Sequence, residues 1–269
     1  MHPFSKETYL REVYFQAHRG TTEEGKENTL YSFLHAWQFS HAIVETDVRQ
    51  LADGTLICLH DETIRRVADT DSPYLDIPVK TLTWEQVQSI ELGNGNHIPT
   101  LKQVLSHLAE ERDRKLYLEI KDAPLKTVVT LLDQYQVTDQ VLFVHAEQSY
   151  LQKVKKLLPY NQTMTWCSGT GEQIVKRFES LAATHFEGIT QVQIHYPTHK
   201  ENGKIIVDLP EGFLEKALLS TRQKQVTLQV CPLNYSSELI LDLLEKGVRW
   251  FVSNAPLQFV TLFNKALNS

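Results

Sequence analysis

At 269 residues, 42% apolar and 22% charged, the chain suits one large α/β domain and is too apolar for intrinsic disorder. Its formal charge of −6, with Lys and Arg spread along the length, argues against a protein held to nucleic acid by phosphate neutralisation. No apolar run approaches the roughly 18 residues needed to span a bilayer, so no stable membrane anchor is expected.

Residues 1–7 carry acid and lack an apolar core, which predicts no secretory signal. Cys58, Cys167 and Cys231 form neither a CxxC pair nor an even framework. Both features fit a reducing, cytoplasmic setting.

In chain order, β-branched or aromatic runs at 13–17, 43–48, 116–120, 141–144, 164–167, 188–194, 226–230 and 250–253 predict strands. Amphipathic stretches at 29–39, 101–111, 125–135, 150–158, 172–181, 213–220, 238–245 and 257–267 predict the helices between them. Strand–helix alternation forces right-handed crossovers into a parallel sheet, and eight such units close into a (β/α)8 TIM barrel. A doubly wound open sheet is the rival, but no GxGxxG follows the first strand. Neither a flexible linker nor an internal repeat divides the chain, so 1–269 reads as one domain. The interval of about 61–98 breaks the rhythm and reads as a small insertion after strand 2, near the barrel end where active sites lie.

His18-Arg19-Gly20 follows the first strand directly, and Asn28 is placed to cap the helix after it. Glu45 and Asp47, two apart on a strand, leave the same face; Glu119 and Lys121 repeat that spacing. Ionised groups within a barrel cost several kcal/mol unless paired or bound to metal. Three converging carboxylates would suit a hard divalent cation, Mg2+ or Ca2+. The competing reading is structural ion pairing with Lys121 or Arg49. Read as a two-residue hairpin turn, Asp53-Gly54 puts His60 directly opposite Asp47, whereas a lone surface histidine is the plainer alternative.

In order and spacing, His18-Arg19-Gly20, Glu27-Asn28-Thr29, Glu45-Thr46-Asp47-Val48, Asp53-Gly54, His60-Asp61, Pro99-Thr100-Leu101 and Glu119-Ile120-Lys121 resemble the signature of the glycerophosphodiester phosphodiesterase family. The resemblance implies a (β/α)8 barrel that hydrolyses small-molecule glycerophosphodiesters to an alcohol and glycerol 3-phosphate. It assigns Glu45, Asp47 and Glu119 to a divalent cation, His18 and His60 to acid/base catalysis, and Arg19 and Lys121 to the phosphate. Glu27 and Asn28 become supporting residues. Two stretches depart from the family pattern: 228–234 lacks a Trp, and 252–256 reads Val-Ser-Asn-Ala-Pro where the family ends Thr-Asp. Trp166, Tyr196 and Phe251 are candidates for the substrate side, against a role in core packing.

Two other functions compete. One is a lipid-directed phosphodiesterase of the phospholipase D type. The acid cluster argues against the metal-independent phosphatidylinositol type, and the insertion argues against the sphingomyelinase D relatives. The other is a catalytically silent barrel acting as a binding module, against which the full set of histidines and acids counts.

Overall fold

The computed structural model describes residues 12–22, 26–201, 204–232 and 234–268; the segment 1–7 and Leu233 of the 228–234 stretch lie outside them. Two compact units emerge, one built from 17–144 with 254–256, the other from the remainder.

In the first unit, helix α1 (Leu30–Ala36) leads into strand β2 (Ala42–Gln50). Thr29, not Asn28, caps α1: its hydroxyl accepts from the Ser32 N–H while the Ser32 hydroxyl accepts from the Thr29 N–H, each at 3.2 Å. Asn28 instead holds a left-handed φ of 54°, which frees its side chain. Beyond β2 come β3 (Leu56–Cys58), helix α2 (Trp84–Val87), the short pair β4 (Glu91–Gly93) and β5 (Asn96–His97), and α3 (Leu101–Ala109). Then follow β6 (Leu116–Ile120), α4 (Leu125–Gln134) and β7 (Val141–Val144). Strand β2 pairs antiparallel with β3 and parallel with β6, and β6 pairs parallel with β7. Helix α3 buries Leu101, Val104, Leu105 and Leu108, the face its 3–4 spacing predicts.

The β2–β3 hairpin departs from the two-residue turn. Val48 faces Cys58, Arg49 faces Ile57 and Gln50 faces Leu56, and Leu51 and Thr55 close a three-residue loop. Gly54 takes φ 87° at its end. Asp53 is occupied otherwise: its carboxylate accepts from the Trp84 N–H at 2.7 Å and the Thr55 N–H at 3.0 Å, tying the turn to α2. The register therefore shifts by one, and Leu59, not His60, donates its N–H to the Asp47 carbonyl at 3.0 Å.

The insertion has a core of its own. Ile64, Val67, Leu75, Val79, Leu82, Val87, Ile90, Leu92 and Ile98 bury against Leu51, Ile57 and Leu59 of the hairpin. Each fully buried side chain of this kind contributes about 1.5–3 kcal/mol. The pairing of β4 with β5 adds a small antiparallel ribbon that the sequence pattern did not suggest.

In the second unit lie β1 (Tyr14–Ala17, whose last residue belongs to the first unit), α5 (Gln148–Leu157), β8 (Gln162–Cys167), α6 (Gly171–Ala183) and β9 (Gln191–Tyr196). After them come the hairpin of β10 (Thr198–Glu201) and β11 (Lys204–Val207), α7 (Phe213–Gln223), β12 (Thr227–Pro232), α8 (Ser237–Glu245), β13 (Trp250–Ser253) and α9 (Pro256–Ala266). Parallel pairing joins β8, β9, β12 and β13 in that order, with β1 beside β13. Tyr14 stacks on Trp250 at 4.5 Å between ring centroids. These strands are not uniformly apolar: buried Gln193 faces buried Gln229, whose side-chain amide donates to the Phe251 carbonyl at 3.0 Å. Among the described residues, eight parallel strands alternate with eight helices of the repeating pattern, with residues 61–98 inserted after the second, the element order of a (β/α)8 TIM barrel.

Candidate active site

Parallel register assembles the acids. Across β2 and β6, Asp47 faces Glu119 and Glu45 faces Tyr117, so the two-residue alternation puts Glu45, Asp47 and Glu119 on one face. One carboxylate oxygen from each lies within 4.8 Å of the others. Among the described residues they are the one set of three His, Cys, Asp or Glu side chains close enough to share an ion. Glu45 and Asp47 are 2% and 1% exposed.

Burial, followed by the charges of Asp47 and Glu119, pushes the Glu45 carboxyl well above the usual range. Burial, with Asp47 adding to it and Lys121 opposing, raises Glu119 as well. The Lys121 ammonium sits 2.6 Å from Glu119 and 3.1 Å from Asp47, and the Arg19 guanidinium lies 3.5 Å from Asp47. Lys121 thus makes the ion pairs that the structural reading expects of it. Arg49 does not: it bonds Asp122 and the His60 carbonyl. Two cations stand beside three carboxylates, two of them buried and Glu119 partly so, which leaves one negative charge unmatched in an all-oxygen pocket when all three are ionised. Such a donor set fits a hard divalent cation better than a soft or nitrogen-seeking one.

A tight loop carries His18 and Arg19 to the same acids. Arg19 takes φ 55° and Gly20 φ 85°, and a Cβ on Gly20 would lie 2.5 Å from the Ser32 hydroxyl, so only glycine lets the loop pack on α1. The Arg19 N–H donates to Glu45 at 2.9 Å, and His18 Nε2 stands 3.9 Å from the same carboxylate. Burial, then the Arg19 charge, lowers the His18 pKa below its ordinary value and favours neutral imidazole. His18 Nδ1 bonds the Asn254 side-chain oxygen at 2.7 Å, an arrangement that leaves Nε2 with the free lone pair. Asn28 joins the acids from below: its amide donates to Asp47 at 3.1 Å and its oxygen accepts from the Thr46 hydroxyl at 2.7 Å.

His60 reaches the region by another route than the one its hairpin position suggested. Its Nδ1 is 2.6 Å from Asp61, its carbonyl accepts from Arg49, and its imidazole is close enough to Glu119 to act electrostatically on that carboxyl. Glu27 accepts from Arg19 at 3.0 Å. Asn254, Asp61, Thr46 and Arg66 hold these groups in place and went unrecognised as such in the sequence. Asp61 stands in the His60-Asp61 motif and Asn254 in the 252–256 stretch that departs from the family pattern, but nothing local to either shows which side chain it holds. Of the three aromatics considered for the substrate side, Phe251 and Tyr196 are buried, and Phe251 packs on Phe259. Trp166 is partly exposed.

Fold and pocket together define a (β/α)8 barrel with a candidate centre for divalent-cation chemistry. The model of the Glycerophosphoryl diester phosphodiesterase family matches residues 18–196, and the chain belongs to that family. Two similar curated proteins are a glycerophosphodiester phosphodiesterase of Caldanaerobacter subterraneus and a probable one of Mycobacterium tuberculosis. They are 27% and 30% identical, over 54% and 58% of this chain. The matches span 62% and 56% of those relatives' own lengths. Among solved structures, a phosphodiesterase of Oleispira antarctica in complex with the product sn-glycerol-3-phosphate aligns at TM-score 0.71 and 21% identity, covering 95% of this chain and 98% of that one. A glycerophosphodiester phosphodiesterase of Agrobacterium tumefaciens aligns at TM-score 0.71 and 19% identity, covering 93% and 99%. These likenesses establish the (β/α)8 fold.

Proposed function

We propose that the protein hydrolyses glycerophosphodiesters to an alcohol and glycerol 3-phosphate with the help of a divalent cation. One observation carries the reading: Glu45, Asp47 and Glu119 crowd within 4.8 Å in a pocket that His18, Arg19 and Lys121 also reach. The product bound to the Oleispira antarctica phosphodiesterase supports the same substrate class. Mg2+ or Ca2+ held by the three acids would supply Lewis-acid neutralisation of the phosphoryl oxygens.

The chain's own groups divide the remaining work. Arg19 and Lys121 bind the phosphodiester anion and offset the charge that grows on its oxygens. His18, neutral and with Nε2 free, takes the proton of the attacking oxygen, whether of water or of the neighbouring glycerol hydroxyl. His60, held by Asp61, returns a proton to the leaving alkoxide as the P–O bond breaks. Attack by the hydroxyl gives a cyclic phosphate, which water then opens. Glu27 steadies Arg19, and Asn28 steadies Asp47. The whole chain serves as one domain, and the unpaired cysteines support a cytoplasmic setting.

The test is release of glycerol 3-phosphate from glycerophosphocholine, glycerophosphoethanolamine and glycerophosphoglycerol by metal-stripped protein before and after Mg2+ or Ca2+ is restored. Turnover that requires the cation and favours these over intact phospholipids is expected. Cleavage of intact phospholipids alone would move the protein to the lipid-directed class, and absence of turnover on every substrate would leave a binding module.

A further inference from the structure

Arg66 lies in the insertion, outside every motif that the proposed reaction uses, yet it meets both of the arms that reach the acids. Its Nε donates to Asp61 at 2.5 Å, and Asp61 in turn holds His60 Nδ1 at 2.6 Å. Its two terminal nitrogens grip Glu27 at 2.9 and 2.6 Å, and Glu27 accepts from Arg19 at 3.0 Å. Arg19 closes the line at Asp47, 3.5 Å away. One guanidinium fork therefore spans two carboxylates, each of which orients a different functional side chain. A lysine could not do this, since its ammonium is a point charge without the planar, multi-donor geometry. The backbone beside Arg66 is fixed separately: Ile64 and Val67 are buried in the insertion core, and the Arg65 N–H donates to the Leu75 carbonyl at 3.0 Å. The side chain is thus presented from a rigid base and is not needed to fold that base.

We propose that Arg66 is a positioning residue that sets His60 through Asp61 and Arg19 through Glu27, making the insertion part of the reaction machinery and not only a cover. The inference rests on the proposed phosphodiesterase reading. Through Arg66, a single change in where the insertion sits moves a proton-transferring group and a phosphate-binding group together.

The experiment compares wild type, Arg66→Ala, Arg66→Lys, Asp61→Asn and the Arg66→Ala/Asp61→Asn pair, with thermal melts as a folding control. Cation-saturated kcat and KM are measured on glycerophosphocholine, and the His60 ring nitrogens are followed by NMR. Loss of an outer partner of this sort costs about 10–100-fold in activity. Expected are such a fall in kcat for Arg66→Ala with the melting midpoint lowered by no more than about 2–4 °C, little recovery in Arg66→Lys, partial rescue of Arg66→Ala by added guanidinium, and a double variant no slower than the worse single. In the wild type, NMR should show every His60 ring carrying a proton on Nδ1, whether or not Nε2 is protonated as well, and in Arg66→Ala a mixture of Nδ1- and Nε2-protonated rings. Wild-type kcat in Arg66→Ala, or losses that multiply in the pair, would overturn the proposal. The ring nitrogens read His60 without turnover. Should the wild type fail on all glycerophosphodiesters, the functional reading falls, while unchanged His60 signals in Arg66→Ala, or in Arg66→Lys if the alanine variant does not fold, would independently overturn the role of Arg66.

Discussion

At the residue scale, what each side chain does follows from what its neighbours permit. His18 is turned by Asn254 and kept neutral by burial and Arg19, so its loss should remove a proton acceptor and little else. His18→Ala and His60→Ala are each expected to lower kcat by about 10²–10⁴ with the melting profile intact, read by initial rates and circular dichroism. Acid stability tests the neighbouring network. The hydrogen bond from Arg66 holds the Asp61 carboxyl down to about 2, below its ordinary 3.8. A depressed acid adds stability in full above its unfolded value and loses it as pH falls towards the folded one. Wild type and Asp61→Asn should therefore differ by a constant amount above about pH 5, about 1 kcal/mol or less for a pair whose Arg66 side is half exposed, and converge as pH drops towards 2. Equilibrium unfolding at several pH values checks this. Much of this scale was legible in the sequence: strand alternation alone put Glu45 and Asp47 on one face. The partners of the functional side chains were not, because the hydrogen bond from His18 to Asn254 joins residues 236 apart.

At the element scale, one hairpin shows where local rules stop. Asp53-Gly54 has the composition of a two-residue turn, but the Asp53 carboxylate is drawn to the start of α2, and the loop grows by one residue. That shift rotates Leu59 into the place foreseen for His60, and Leu59 buries in the insertion core. A tertiary contact overrode a turn preference, which no window of sequence around the turn contains. Likewise Asn28 gave up the cap to Thr29 and turned to Asp47, since the bond to a buried carboxylate outranks one to a helix end. The strands and helices of the barrel pattern, by contrast, lie within a few residues of where the apolar runs and periodicity put them: the strand expected at 188–194, for instance, runs Gln191–Tyr196. The insertion core predicts its own cost of disruption. Ile64→Ala removes a fully buried side chain and should destabilise by about 2–5 kcal/mol in denaturant unfolding. Since Ile64 lies two residues from Arg66, turnover should fall in the same variant below the temperature at which it melts.

At the scale of the whole molecule, the fold places acids from parallel strands β2 and β6 in one pocket and uses an inserted segment to brace what surrounds them. A pocket that gathers three carboxylates gains stability from any cation it binds, because the unfolded chain offers no such site. At a hundredfold excess over the dissociation constant the gain is about 2.7 kcal/mol, a rise in melting midpoint of roughly 5–10 °C. A chelator should reverse it. Binding is expected to tighten as pH rises, since Glu45 and Glu119, both raised in the cation-free protein, must release protons to serve as ligands. The most direct measurement is calorimetric titration of chelator-treated protein with Mg2+ and Ca2+, for the wild type and for Glu45→Gln, Asp47→Asn and Glu119→Gln. One ion per wild-type chain and markedly weaker uptake in all three variants is the predicted result; a wild type that takes up neither ion, or variants that bind as it does, would contradict it.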